Sequence, residues 1–252
     1  MPASGLLLAS AAIRAASLNL CTDELLLLLA SPDQVVSVTH LSQQQAETPL
    51  WRQARRYARN DGSLLDVVPR RPTIVFTMGG QGHDRAAIAR RLGIRVLVLP
   101  FPQTIDDVIG SVRTVATVLD RRPVGENVVR QVLALKSGAP ARPVDTLYVS
   151  GGGLTVGAKS LAADWMRLAG LRQRPIRGDR IGLEQLLTAP PAVLLRSNYR
   201  SGEYSSDQRW LSHPLAKHVR AGRTVATDGR RWTCMGPTLV PEIVRLRREL
   251  AT

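Results

Sequence analysis

The residues best suited to metal or redox chemistry in this 252-residue chain are Cys21, Cys234 and four histidines. Cys21, His40 and His83 each follow a strand-like run in the first half, and Cys234 follows one in the second. In parallel α/β sheets the loops at the carboxyl ends of the strands gather along one rim, where ligands bind. The four side chains could therefore meet at one cleft. A Cys21–Cys234 disulfide is one reading, a pair of soft metal ligands another, and two packed thiols a third. His213 and His218 fall at no metal-pair spacing on a helix and read as surface or structural groups. Gly152-Gly153-Leu154-Thr155-Val156-Gly157-Ala158-Lys159-Ser160 invites a phosphate-loop reading. It fails because Ala158 separates the lysine from the glycine that should precede it. No G-x-S-x-G elbow is present, and the glycines after Met78 lack the dinucleotide spacing. Trp51, Tyr199, Tyr204, Trp210 and Trp232 lie in or near loops, where flat apolar rings can meet a ligand. Trp165 falls within a helical pattern and reads as core.

The elements that must position these groups centre on residues 104–136. Thr104 can cap a helix whose first turn holds Asp106 and Asp107. Ile105, Val108, Ile109, Val112, Val115, Ala116 and Leu119 then recur at helical spacing. Asp120-Arg121-Arg122-Pro123 interrupts the pattern, and Pro123 suits the first turn of a second helix. Val128, Val129, Val132, Leu133 and Leu135 give that helix one apolar face. On either side the chain alternates. Strands are expected at 13–18, 35–39, 73–77, 96–99, 146–150, 193–196 and 224–226. Helices are expected at 23–30 (capped by Thr22), 51–57, 64–68 (capped by Ser63), 84–92, 160–169, 183–187 and 237–250. Glycines at 93 and 170 suit helix ends. The fold expected is α/β: two α/β lobes with a ligand cleft between them, joined by a rigid backbone helix. The lobes span 13–119 and 143–252, with bridging helix and linker at 120–142. Residues 1–12, with a short apolar run but no basic start, read as a remnant of an export signal or as an ordinary disordered N-terminus.

The formal charge is +14, from 34 Lys+Arg against 20 Asp+Glu. Such a balance suggests an anionic partner: nucleic acid, acidic lipid or an acidic small molecule. Aromatic residues make up only 4% of the chain, and that weakens the nucleic-acid case, because single-strand platforms interleave aromatic and basic residues. The leucine run at 25–30 is far too short to span a bilayer.

Several ordered stretches resemble the class III periplasmic binding proteins of ABC importers, which carry cobalamin, ferric siderophores and haem. Residues 15–25 resemble the family's opening strand, turn and "T/N-E-L" helix. Asn60-Asp61-Gly62-Ser63-Leu64-Leu65-Asp66-Val67-Val68, with Arg71-Pro72-Thr73-Ile74-Val75, resembles its "G…N-x-E-x-I-x-x-L-K-P-D-L-V" segment. Leu92-Gly93-Ile94-Arg95-Val96 is similar to "L-G-I-x-V". Ile181-Gly182-Leu183-Glu184-Gln185-Leu186-Leu187, with Pro191-Ala192-Val193-Leu194, is similar to "S-x-E-x-L…x-P-D-x-I". Asn60 stands where cobalamin-binding members carry a cleft tryptophan.

The resemblance covers 13–250 and implies a non-enzymatic periplasmic receptor. Such a receptor is a monomer with no resident cofactor. It hands a metal chelate (a corrinoid, ferric siderophore or haem) to an ABC permease and its ATPase, and needs no nucleic acid. Asp66 and Glu184 occupy the family's permease-docking positions. Trp51, Tyr199, Trp210 and Trp232 would supply flat contacts, and Arg200, Arg230 and Arg231 would pair with ligand oxygens. Two further readings are a bare transition metal held by Cys21, His40, His83 and Cys234, and a basic nucleic-acid-binding protein.

Overall fold

A computed structural model describes residues 12–79, 83–200, 213–214 and 222–251, with 83–86 described by backbone alone. Two parallel sheets form. The first contains β1 (Ala15–Ser17), β2 (Val35–Thr39), β3 (Arg59–Asn60), β4 (Ile74–Met78) and β5 (Arg95–Leu99), in the order β3-β2-β1-β4-β5. The second contains β6 (Val144–Val149), β7 (Leu171–Gln173), β8 (Val193–Ser197) and β9 (Arg223–Thr227), in the order β7-β6-β8-β9. All pairings within the sheets are parallel. The central strands are buried along their length, as helices on both faces of a parallel sheet require.

The segment 104–136 is a helical hairpin. Helix α5 (Ile105–Val118) begins with a reciprocal cap in which Thr104 Oγ1 accepts from the Asp107 amide and the Asp107 carboxylate accepts from the Thr104 amide. Helix α6 (Arg122–Ser137) returns antiparallel. The salt bridges Arg113–Glu126 (2.8 Å) and Asp106–Lys136 (2.7 Å) match its two ends to those of α5. Gly125 permits this approach, because a Cβ there would lie 2.4 Å from that of Ala116. The helix that packs against both halves of the molecule is α5. It touches α1 (Leu20–Leu29) on one side and α7 (Leu161–Leu168) on the other. The bridging element expected at 120–142 is thus the second arm of a hairpin whose first arm already spans both lobes. The C-terminal helix α10 (Val240–Ala251) packs on α6 and α7, where the Arg247 guanidinium donates to the carbonyls of Leu135 and Leu168, both at 2.6 Å.

Three local expectations change. Helix α1 starts at Leu20 because Asn19 caps it, Oδ1 accepting from the Thr22 amide at 2.9 Å. The Thr22 hydroxyl instead pairs with Ser17 at 2.7 Å. The short strands β3 and β7 extend the sheets, and α9 (Arg230–Cys234) forms where a loop was expected. Ser63 does cap α3 (Leu64–Val67), Ser160 caps α7 where it was expected inside the helix, and Gly93 and Gly170 adopt positive φ. Among the described residues no helix is long and apolar enough to cross a membrane.

Candidate functional site

Both sheets end on rims that meet at the lobe boundary. Asn19, following β1, caps α1 and also reaches Met78 O at 3.3 Å, so the first turn of α1 is held against the end of β4. That places Cys21 on α1 facing the second lobe. Cys234 closes α9, where Met235 turns left-handed at φ 49° and its carbonyl accepts from Trp165 Nε1 at 2.8 Å. The two cysteines form a disulfide across the boundary, with Cα atoms 5.2 Å apart.

One helical turn beyond Cys21, Glu24 forms a second tie. Its carboxylate accepts from Thr48 of the first lobe at 2.6 Å and from Thr238 of the second at 3.0 Å. Burial raises its pKa to about 7 against these two hydrogen bonds and the pull of Arg231, and neighbouring Asp23 adds to the rise. Asp23 is also raised by burial, although it accepts from the Thr39 amide at 3.0 Å and from the Thr39 hydroxyl. Between the disulfide, Glu24, Val108 of α5 and Pro237 lies a cavity of about 20 Å³, room for about one water molecule.

A third set of contacts crosses further out. Buried Glu47, in the loop after β2, accepts from the Tyr199 hydroxyl at 2.9 Å and pairs with the Arg200 guanidinium. Burial, then the hydrogen bond to Glu47 and the Glu47 charge, raise the Tyr199 pKa, and the hydrogen bond to Glu47 raises that of Arg200. Arg230 reaches Gln45 O at 3.0 Å while holding Asp228 at 2.8 Å. Burial works against the Asp228 carboxylate, yet the guanidiniums of Arg230 and Arg231 keep it below its ordinary range.

The structure therefore brings Tyr199, Arg200 and Arg230 to the lobe boundary. Trp51 stands on α2 (Trp51–Ala54), its ring flanked by Arg52 and Arg55 with each guanidinium 4.6 Å from the centroid. Trp232 differs from expectation. It is 4% exposed, its ring centroid 5.3 Å from that of Tyr148, and its Nε1 donates to Thr227 at 2.8 Å. It belongs to the core of the second lobe and presents no face to a cleft. Trp210 and Tyr204 lie outside the described residues, as does His218. Trp165 is fully buried, as its helical position suggests.

The bare-metal set does not assemble. Cys21 and Cys234 are consumed by their bond, and both sit on helices. His40 Nδ1 lies 3.4 Å from Asn60 O, and the His83 side chain lies outside the described residues. Among the described residues no three His, Cys, Asp or Glu side chains are grouped to hold a metal.

Asp66 lies in the first turn of α3, accepting from the Asp61 amide at 3.1 Å, with Arg70 3.7 Å away. Glu184 is exposed in the first turn of α8 (Leu183–Thr188). Asn60 is buried and donates to Ser17 O and Ser37 Oγ, both at 3.0 Å, so it ties three strand ends together. Sequence reasoning missed Glu24 and Glu47, whose partners lie in the other lobe. It also missed Phe101, which is 61% exposed and lies over Gly79 at the end of β4. The prolines on either side of Phe101 are the signal that marked its loop.

No protein-family model matches this sequence, and no curated protein sequence matches it. Solved structures do match over almost the whole chain. The periplasmic haem-binding protein HutB of Vibrio cholerae is 19% identical, with a TM-score of 0.72, covering 95% of this chain and 99% of that one. The siderophore-binding protein BauB, bound to two acinetobactin molecules and ferric iron, is 14% identical with a TM-score of 0.69, covering 93% and 92%. The periplasmic vitamin B12-binding protein BtuF of Vibrio cholerae is 15% identical with a TM-score of 0.66, covering 94% and 96%. The chain has the class III substrate-binding fold that these proteins share.

Proposed function

We propose that this protein is the periplasmic substrate-binding component of an ABC importer, a receptor with no catalytic step, working as a monomer. It captures a metal chelate at the boundary of its two lobes and delivers it to the permease and its ATPase. The observation that carries this reading is the meeting of two parallel-sheet rims across which Glu47 engages Tyr199 and Arg200. A ligand carboxylate or catecholate would make the same bonds that the Glu47 carboxylate makes. Arginines at the boundary favour an anionic chelate, such as a ferric siderophore or haem, over a corrinoid. Structural relatives that bind haem, a ferric siderophore and vitamin B12 agree with a flat or bulky chelate as cargo.

The boundary cavity of about 20 Å³ is far below the roughly 300–1,000 Å³ of a small-molecule site. The chelate therefore seats outside the disulfide, against Tyr199, Arg200 and Arg230, displacing Glu47. Asp66 and Glu184 would each meet an arginine of the permease, one per lobe. Titration of intrinsic tryptophan fluorescence with cyanocobalamin, haemin and ferric siderophores tests the reading. The expected result is saturable quenching by one of them at micromolar concentration or below, weakened by Arg200→Ala. No saturable response to any of them would leave the fold without this function.

A further inference from the structure

The first sheet ends at β3, on the side away from the strand that leads into the helical hairpin. Residues 51–71, which build this edge, contain six arginines and two acids. Arg52, Arg55, Arg56, Arg59 and Arg71 are exposed. Arg70 donates to Arg59 O at 3.0 Å, and Arg14 crosses from β1 to donate to Arg70 O at 2.7 Å and Arg71 O at 3.0 Å. Four of these arginines stand on or beside α2 and β3 at the edge itself, and Arg70, Arg71 and Arg14 continue the basic surface from it to the starts of β4 and β1. Of the two acids, Asp66 is already paired with Arg70 and Asp61 is turned to the Ser63 amide at 2.8 Å. Guarding the two-residue strand β3 against edge pairing would need no more than Arg59 itself. The arginines of α2 and of the turn after α3 lie outside that strand.

We propose that this edge seats the protein on an anionic phospholipid surface. The charge is spread along the edge and not focused in a pocket, as a sheet of headgroup phosphates requires. Guanidiniums pair with phosphate oxygens in a bidentate fork. Two apolar side chains lie among them at membrane-interface positions. Leu65 is 76% exposed, and Trp51 is half-buried between Arg52 and Arg55. A nucleic acid fits less well, since Trp51 already has a guanidinium stacked on it and offers no free platform for bases. The consequence is a receptor held near the bilayer by lobe one whether or not it carries ligand. The proposal does not depend on which chelate is bound.

Flotation of the oxidised full chain with phosphatidylcholine vesicles, with and without phosphatidylglycerol, tests it. Binding is expected only with phosphatidylglycerol, and it weakens as salt rises. The triple variant R52Q/R56Q/R59Q is expected to lose on the order of a hundredfold in affinity, about fivefold per arginine. The control R122Q/R130Q/R248Q removes the same charge from α6 and α10 and is expected to lose only a few-fold. Circular dichroism confirms that both variants fold. Equal losses in the two triples would make net charge the whole cause and overturn the assignment. So would failure of the unmodified protein to float at low salt. Tighter retention by duplex DNA than by vesicles at matched phosphate, lost in the first triple, would reassign the edge to nucleic acid.

Discussion

Glu24→Gln should stabilise the protein in mild alkali and do nothing in acid. Glu24 is buried between two threonine hydroxyls from different lobes, and its pKa rises from 4.5 to about 7. The folded state therefore holds the proton more tightly than the unfolded state. Stability from this group is complete below about pH 4.5, falls as pH rises, and is lost above about pH 7. At roughly 1.36 kcal/mol per decade, burying the charge at pH 8 costs about 3 kcal/mol. Glutamine keeps the shape, and the hydroxyls of Thr48 and Thr238 can rotate to accept from its amide, so the charge penalty disappears with little lost bonding. For a chain of this size, 3 kcal/mol corresponds to a melting-point gain of about 6–12 °C. The comparison is Tm for wild type and variant at pH 5 and pH 8, both with the disulfide oxidised. Asp23 is raised in the same sense and Arg231 opposes it, but both are present in each protein, so the difference isolates Glu24. An identical Tm difference at the two pH values, or a variant less stable at pH 8 than at pH 5 relative to wild type, would refute the reasoning.

Two further outcomes follow from the same boundary. Reducing Cys21–Cys234, or replacing both with serine, reopens a loop of 213 residues and should cost about 5 kcal/mol on the chain-entropy account. The denaturant midpoint with and without reductant measures it, and an unchanged midpoint would deny the bond a structural role. Trp232→Ala should cost about 3–5 kcal/mol of stability while leaving the affinity of whichever chelate binds within a few-fold, because the ring is held by Tyr148 and Thr227 inside the second lobe.

The fold was legible where a pattern runs long enough to repeat. The two arms of the hairpin, the Thr104 cap of the first and the buried strands follow from apolar spacing and capping chemistry that lie within one segment. The strands β3 and β7 have two and three residues, too few for any periodicity. Cys21 read as a turn residue because Thr22 looked like the cap, but its hydroxyl is claimed by Ser17 and the cap passes to Asn19. The lobe boundary was legible in residue type and only partly in position. Tyr199, Arg200 and Arg230 do reach the boundary, while Trp232, equally close to a loop by sequence, turns inward against Tyr148. Glu24 and Glu47 left no local trace at all. Their partners are 214 and 152 residues away, and nothing in the residues beside them says that a second lobe will arrive.

The disulfide also sets an order of events during biogenesis. Cys21 sits near the start of the chain, and its partner follows 213 residues later. A chain that is threaded into an oxidising compartment from its N-terminus presents a lone thiol until the 213 residues up to its partner have followed. The sequence holds just two cysteines, so no wrong intramolecular pair competes in the meantime. Closing so long a loop in an unfolded chain is entropically costly, and placing α9 beside α1 brings the two thiols together. Premature oxidation can cap Cys21 with a small thiol or join two chains in a covalent dimer. The share of dimer in protein oxidised from the reduced chain would therefore report how often the thiol met another chain before its own partner came into place.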